Sequence, residues 1–288
     1  MSWRARSSAI AAWSGGPYAR FEGEQSVMFP LLSRPSSKPP GKEMNLQYSL
    51  RGKSALVTGG SRGIGRAIAL GLASQGAAVV IGYLKNDAQA SEVVETIAGA
   101  GGKAAAVRAD LSRPTEVIRM FDEAEQTVGT LDIVVASAAD IIVKPLVDCT
   151  EEDYDRIFNA NAKGVFFTLK EAARRLNDGG RIIVFSTGGT KMFFPGQSLY
   201  LGSKGAVEQF VRALAWELGE RGITVNAISP GPTETDMMQD RYRDDAARKS
   251  PFNRIGDPRE VADIAVFLAS DAARWVTAQN IGAGGGAF

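Results

Sequence analysis

The chain has 288 residues, is 44% apolar and 23% charged, and carries a formal net charge of +1. These are the proportions of an ordinary globular protein, and a charge near zero gives no bulk field toward nucleic acid or an anionic membrane. With no histidine and only one cysteine, Cys149, the chain has no Ser-His-Asp triad, Cys-His dyad, His-containing zinc site or internal disulfide.

Residues 1 to about 45 are rich in Ser, Pro, Gly and Arg and show no sustained periodicity. A disordered extension is expected over 1–45 and a globular domain over 46–288. The first acid, Glu22, follows Arg4, Arg6 and Arg20. That start also fits an organelle transit peptide, or an upstream start codon with Met44 as the natural beginning. A cytoplasmic location is expected, with a mitochondrial one as the minor alternative. No apolar run is long enough to span a bilayer, so no membrane partner is expected.

From Leu50 short apolar runs alternate with helical patterns. Strands are expected at 54–58, 77–81, 104–107, 132–136, 181–185 and 223–228. Helices are expected near 63–75, 87–100, 114–128, 151–176, 198–220 and 258–270. Pro114 suits a first-turn position, with Ser112 as the cap candidate. A glycine-rich tail, 282–286, ends the chain. Strands without alternation, each followed by a helix, imply a parallel sheet covered on both faces. The predicted fold is α/β: one doubly wound, Rossmann-type domain with a parallel sheet of about seven strands.

The first strand runs into Thr58-Gly59-Gly60-Ser61-Arg62-Gly63-Ile64-Gly65, ahead of a helix. Glycines here let the backbone turn tightly and approach a pyrophosphate, whose charge sits at the helix N-terminus. The spacing is G-x-x-x-G-x-G, and a purely structural tight turn is the competing explanation. The second strand ends Val80-Ile81-Gly82-Tyr83 without a carboxylate for a ribose 2′-hydroxyl. Arg62 and Lys85 supply cations that suit a 2′-phosphate. NADP(H) is therefore expected over NAD(H).

Tyr200 and Lys204 stand four residues apart and share a helix face. A lysine cation at ~4 Å and an effective dielectric of ~20 favours the phenolate by roughly 4 kcal/mol, about three pKa units. Such a tyrosine can exchange protons with an alcohol or carbonyl near neutral pH. A plain surface pair at this spacing is the alternative.

The glycine loop together with Tyr200-Leu201-Gly202-Ser203-Lys204 resembles the short-chain dehydrogenase/reductase family. So do Asn226-Ala-Ile-Ser-Pro-Gly-Pro-Thr-Glu-Thr235 and the run from Gly256 to Ser270. Within the family the chain looks most like 3-oxoacyl-carrier-protein reductases and fungal polyketide reductases of the hydroxynaphthalene type. The resemblance implies Tyr200 as general acid and Lys204 as holder of the nicotinamide ribose that lowers the pKa of Tyr200. It implies Asn161 as anchor of a water leading to the lysine, and Asp110 as partner of the adenine amino group. Ile64 would lie against the cofactor, Thr233 would meet the carboxamide, and Thr235 would touch the pyrophosphate side.

Three departures stand out. The family serine falls, without gaps, on Thr187; its neighbour Ser186 should face the other way in a strand. The family's Asn-Asn-Ala-Gly turn is replaced by Ala136-Ser137-Ala138-Ala139-Asp140, in which Ser137 restores only part of the hydrogen bonding. A terminal Asp-Gly-Gly becomes Gly284-Gly285-Gly286. Residues 236–252 match a mobile lid, in which Met237, Met238, Tyr242 and Phe252 could face Phe193 and Phe194 across an apolar pocket.

The expected activity is hydride transfer from NADPH to a ketone of a bulky or polyketide-like small molecule. Tyr200, Lys204, Thr187 and Asn161 form the expected catalytic set, with no metal. The alternatives are an NADP-linked alcohol dehydrogenase working oxidatively and a non-catalytic NADP-binding scaffold. The expected partners are a carbonyl substrate and further copies of the chain, as a homo-dimer or homo-tetramer.

Overall fold

The computed structural model describes residues 48–192, 194–238 and 240–288. The expected extension over 1–45 and Phe193 lie outside these described residues. Seven strands form one parallel sheet in the order β3-β2-β1-β4-β5-β6-β7. They are β1 (Ser54–Thr58), β2 (Ala78–Tyr83), β3 (Ala104–Arg108), β4 (Ile133–Ala136), β5 (Arg181–Phe185), β6 (Thr224–Pro230) and β7 (Asn280–Ala283).

Both faces of the sheet are covered, which is why the strands are apolar throughout. Leu56, Val134, Ile182, Val184 and Val225 face one core, closed by α3 (Pro114–Val128), α5 (Gly164–Arg175) and α6 (Ser198–Glu217). Ala55, Val57, Ile133, Val135 and Ile183 face the other, closed by α1 (Gly63–Ser74), α2 (Asp87–Gly99) and α8 (Pro258–Ala269). Successive strand residues thus alternate between two buried faces, not between core and water.

The structure departs from the sequence-based elements at four places. The helix expected over 151–176 is broken into α4 (Glu151–Phe158), a π-helical turn (Asn159–Lys163) and α5. The N–H of Gly164 bonds the carbonyl of Asn159, five residues back. The seventh strand lies at the head of the segment expected as a glycine-rich tail. It pairs with β6, from Ala227↔Asn280 to Pro230↔Ala283. The residue before α3 is Arg113, not Ser112: the Ser112 N–H and hydroxyl both go to Asp110 Oδ1, at 3.0 and 2.7 Å. A short helix, α7 (Arg243–Arg248), lies in the lid segment.

The strand order reverses direction between β1 and β4. Beyond their carboxyl ends lies the crevice where this fold class takes its ligands.

Candidate active site

Three consecutive residues leaving β5 meet three residues spaced four apart on α6. The buried Lys204 Nζ donates to the carbonyl of Phe185 at 2.6 Å. Ser186 Oγ donates to Glu208 Oε1 at 2.6 Å. The Thr187 hydroxyl faces the Tyr200 phenol and lowers its titration. Strand alternation therefore sends Ser186 away from the tyrosine and Thr187 toward it.

The electrostatics differ from the expectation for the Tyr200/Lys204 pair. Burial pushes the Tyr200 phenol above its ordinary value, and the Thr187 hydroxyl opposes that rise. Burial also pulls Lys204 down to about 8. The ammonium is directed to the Phe185 carbonyl, and desolvation at both groups outweighs the simple two-charge attraction. The phenol is accordingly held in its protonated form at neutral pH.

Asn161 is fully buried in the π-helical turn. Its Oδ1 accepts from the Asp140 N–H at 2.8 Å, and its Nδ2 donates to the Asp140 carbonyl at 2.8 Å and to Ser203 Oγ at 3.1 Å. Ser203 Oγ donates in turn to the Tyr200 carbonyl at 2.7 Å. One side chain thus ties the turn after β4 to the helix that carries Tyr200. The extra residue of the π turn widens the helix locally, a feature frequent at functional sites.

At the other end of the crevice, the glycine loop packs against the turn after β4. Gly59 has φ +67°, the left-handed region that favours glycine. Gly65 lies so close to the Gly59 carbonyl and Ser137 Oγ that a Cβ would not fit. Ser137 Oγ donates to the Thr58 carbonyl at 2.5 Å, and the Ala138 N–H donates to Thr58 Oγ1 at 3.3 Å. Thr235 lies over Gly63, and Ile64 is partly buried beside it in the first turn of α1. Thr233 is buried, with its hydroxyl on the Gly231 carbonyl at 2.9 Å.

Two cations follow the first two strands: Arg62 in the loop after β1 and Lys85 after β2. Arg62, immediately before α1, is exposed and pairs with Asp236 at 3.3 Å. Lys85 is exposed and has no ion-pair partner among the described residues. Asp110 engages Ser112 through Oδ1 and stands 3.7 Å from Arg113 through Oδ2. A glycine-rich loop at a helix N-terminus, with Arg62 in the loop, Lys85 after β2 and no carboxylate as the last residue of β2, fits a dinucleotide bearing a 2′-phosphate.

The sequence model of a family described as enoyl-(acyl carrier protein) reductase matches residues 59–287. The chain is 42% identical over 257 residues to versicolorin reductase 1 of Dothistroma septosporum, covering 84% of this chain and 98% of that one. It is 41% identical to a hydroxynaphthalene reductase-like protein of Metarhizium acridum, covering 83% and 96%. The chain belongs to the short-chain dehydrogenase/reductase family.

Solved members of the short-chain dehydrogenase/reductase family share the fold. One from Burkholderia cenocepacia, in complex with NADP, superposes with a TM-score of 0.81 at 38% identity, covering 83% of this chain and 98% of that one. The angucycline C-6 ketoreductase LanV, with bound NADP, gives 0.80 at 39% identity, covering 83% and 96%. As a family member the chain is an oxidoreductase.

Against this family background, several features of the site were not expected from sequence. Asp140 forms a two-pronged pair with Arg156, at 2.7 and 3.1 Å, and its Oδ1 also accepts from the Ile141 N–H at 2.8 Å. This brace stands at the turn where the family amides are missing. The Phe288 ring folds back against Gly188, Gly282 and Gly284, with the Lys191 ammonium 5.4 Å from its centre. An aromatic residue after a glycine run carried the only sequence signal for that contact.

The apolar residues of the lid segment differ in exposure, with Met238 partly buried. Met237 and Tyr242 are each 43% exposed, and Phe252 is 68% exposed beside Gly285. The lid reaches the loop after β5 through Lys249, whose ammonium sits 4.4 Å from the Phe194 ring centre. Arg243 pairs with Glu234 and Asp240, and Arg248 with Asp245, so these cations are paired within the lid region.

Proposed function

We propose that this chain is an NADPH-dependent reductase of a ketone in a bulky, polyketide-like small molecule, with Tyr200 as proton donor. The observation that carries the reading is the buried Lys204, fixed on the Phe185 carbonyl at 2.6 Å one helical turn from Tyr200, with Thr187 on the side that faces the tyrosine. The naming of similar chains as versicolorin and hydroxynaphthalene reductases supports the substrate class, and NADP in two similar structures supports the cofactor.

The residues fit NADP(H) in the following way. The backbone from Gly59 to Gly65 would receive the pyrophosphate at the start of α1, with Ile64 and Ser137 beside it. Arg62 and Lys85 would meet the 2′-phosphate, Asp110 the adenine, Lys204 the nicotinamide ribose, and Thr233 and Thr235 the carboxamide and pyrophosphate sides. When bound, the cofactor supplies the hydride.

The chain's own contribution is to polarise the carbonyl and deliver a proton. With a ketone bound, the Thr187 hydroxyl turns its one proton from Tyr200 to the carbonyl oxygen, and Thr187 and Tyr200 both donate there, where negative charge develops during reduction. Burial keeps the Tyr200 phenol protonated, the form a reduction requires. Tyr200 then gives its proton to the forming alkoxide, a stronger base than a phenolate. Lys204, an ammonium one turn away, stabilises the phenolate that remains. Asn161 fixes the distance between the turn after β4 and α6, and so the width of the crevice.

Tyr200→Phe tests the reading. Turnover of NADPH against a panel of fused-ring ketones should be lost, while NADPH binding, followed by fluorescence titration, stays within about threefold. Turnover like that of the wild type would overturn it. We also propose that the chain assembles as a homo-dimer or homo-tetramer through α5 and α6, where Phe166 is 47% exposed and packs edge-on against Phe210.

A further inference from the structure

Glu208 lies on α6 on the same face as Tyr200 and Lys204, at steps of four residues. Its Oε1 accepts from Ser186 Oγ at 2.6 Å and from Thr190 Oγ1 at 2.7 Å. These two donors flank Thr187. Between Thr187 and Thr190 stand only Gly188 and Gly189, which have no side chains to hold the turn. Thr190 Oγ1 also lies 3.0 Å from the Thr187 carbonyl. A hydroxyl carries one proton, and the carboxylate, nearer and charged, is the stronger acceptor.

The Thr187 hydroxyl is itself held from one side only. Its oxygen accepts from the Gly189 N–H at 3.2 Å, which leaves its proton for Tyr200. That N–H belongs to the same two-glycine turn. The direction of the Thr187 hydroxyl therefore depends on the path of segment 186–190, and that path is pinned at both ends by one carboxylate on the helix that carries Tyr200.

We infer that Glu208 is a positioning residue for the reduction: it holds the Thr187 hydroxyl toward Tyr200 by anchoring Ser186 and Thr190 to α6. Glu208 acts through Thr187 and touches no reacting atom. The inference rests on the reading of Tyr200 and Thr187 given above. It also accounts for a polar latch at a site where apolar packing of equal volume would leave a glycine pair free to turn.

The test is a double-mutant cycle on the full-length chain, with NADPH and 2-tetralone as the probe ketone. Glu208→Leu should lower kcat about 30-fold and leave KM for NADPH within about twofold, because Thr187 acts on developing charge and not on cofactor binding. Glu208→Gln should stay within about threefold of the wild type, since its carbonyl oxygen can accept from both hydroxyls. On a Thr187→Ala background, Glu208→Leu should cost less than about threefold. An equal loss on both backgrounds, or wild-type kcat in Glu208→Leu, overturns the inference. If Glu208→Leu does not fold, Thr190→Val goes through the same cycle. Its expected loss is about fivefold with Thr187 present and none without it, and equal losses again overturn the inference.

A second readout needs no substrate. The ultraviolet titration of Tyr200, taken as the difference from Tyr200→Phe, should move upward in Glu208→Leu to the position found in Thr187→Ala, and stay in place in Glu208→Gln. An unmoved titration in Glu208→Leu overturns the inference. Wild-type turnover in Tyr200→Phe would sink the reading of the site itself; a dead Tyr200→Phe with additive Glu208 losses would sink only the role of Glu208.

Discussion

The Thr187 hydroxyl faces the Tyr200 phenol and lowers its titration, against the burial that pushes this phenol upward. The two effects have opposite signs and separate causes, so they can be separated by mutation.

Thr187→Ala removes the hydroxyl that favours the phenolate. The phenol should then titrate at higher pH than in the wild type. In the alcohol-oxidising direction, which requires the phenolate, the rising limb of the pH–rate profile should shift to higher pH. Carbonyl reduction should slow by about 10²-fold, the usual effect of losing one donor to a developing oxyanion. Thr187→Ser, which keeps the hydroxyl and removes a methyl, should stay within about fivefold. An unshifted limb in Thr187→Ala would count against the role assigned to this hydroxyl.

Lys204 is buried and pulled down to about 8 from an ordinary 10.5. Below about 8 both folded and unfolded chains hold the proton, and burial of the charge costs the folded state in full. Between about 8 and 10.5 the unfolded chain binds the proton and the folded chain does not, so folded stability rises with pH across that window. Lys204→Met removes the charge and the bond to the Phe185 carbonyl together. It should be more stable than the wild type at neutral pH by about 2 kcal/mol, after allowing for the lost bond. That advantage should shrink as pH rises through the window, as measured by urea unfolding at several pH values. Activity should be lost.

Arg62 is an exposed arginine whose partner in this structure, Asp236, is equally exposed. Surface pairs of this kind contribute less than about 1 kcal/mol, so the guanidinium can turn to a phosphate at little cost. Arg62→Ala should raise KM for NADPH about tenfold and leave KM for NADH unchanged, a change of the size expected for a charge-assisted hydrogen bond. Adding Lys85→Ala should bring the two cofactors close to parity. Equal effects of Arg62→Ala on both cofactors would place the arginine elsewhere.

Phe166 packs edge-on against Phe167 and Phe210, with ring centres 5.4 and 5.5 Å away, while nearly half of it stays exposed. Phe166→Glu should leave the monomer fold intact and shift the assembly toward smaller species in light scattering coupled to size exclusion. A wild-type chain that runs as a monomer at micromolar concentration would remove the assembly proposal.

Much of the fold was legible because its determinants are local. Apolar runs such as Ala55-Leu56-Val57 become strands buried on both faces, and the strand–helix alternation leads to a parallel doubly wound sheet. β7 was harder to see, since Asn280–Ala283 has little side chain to mark it and is held by its register with β6. The π-helical turn was invisible because Asn159–Lys163 carries a helical pattern, and only the bond from the Gly164 N–H to the Asn159 carbonyl, five residues back, reveals the extra residue.

The sequence by itself determined the Tyr200/Lys204 spacing, the glycine loop and the absence of histidine chemistry, because each is a matter of residue type at short separation. It also determined that Ser186 and Thr187 point to opposite sides, because a strand alternates. Only the tertiary structure decided what each side meets: Glu208 for Ser186, Tyr200 for Thr187, and the Phe185 carbonyl for Lys204. The direction of the Tyr200 shift was decided there as well. Desolvation is a property of the whole surroundings, and at this site it outweighs the pairwise attraction that helix spacing alone suggests.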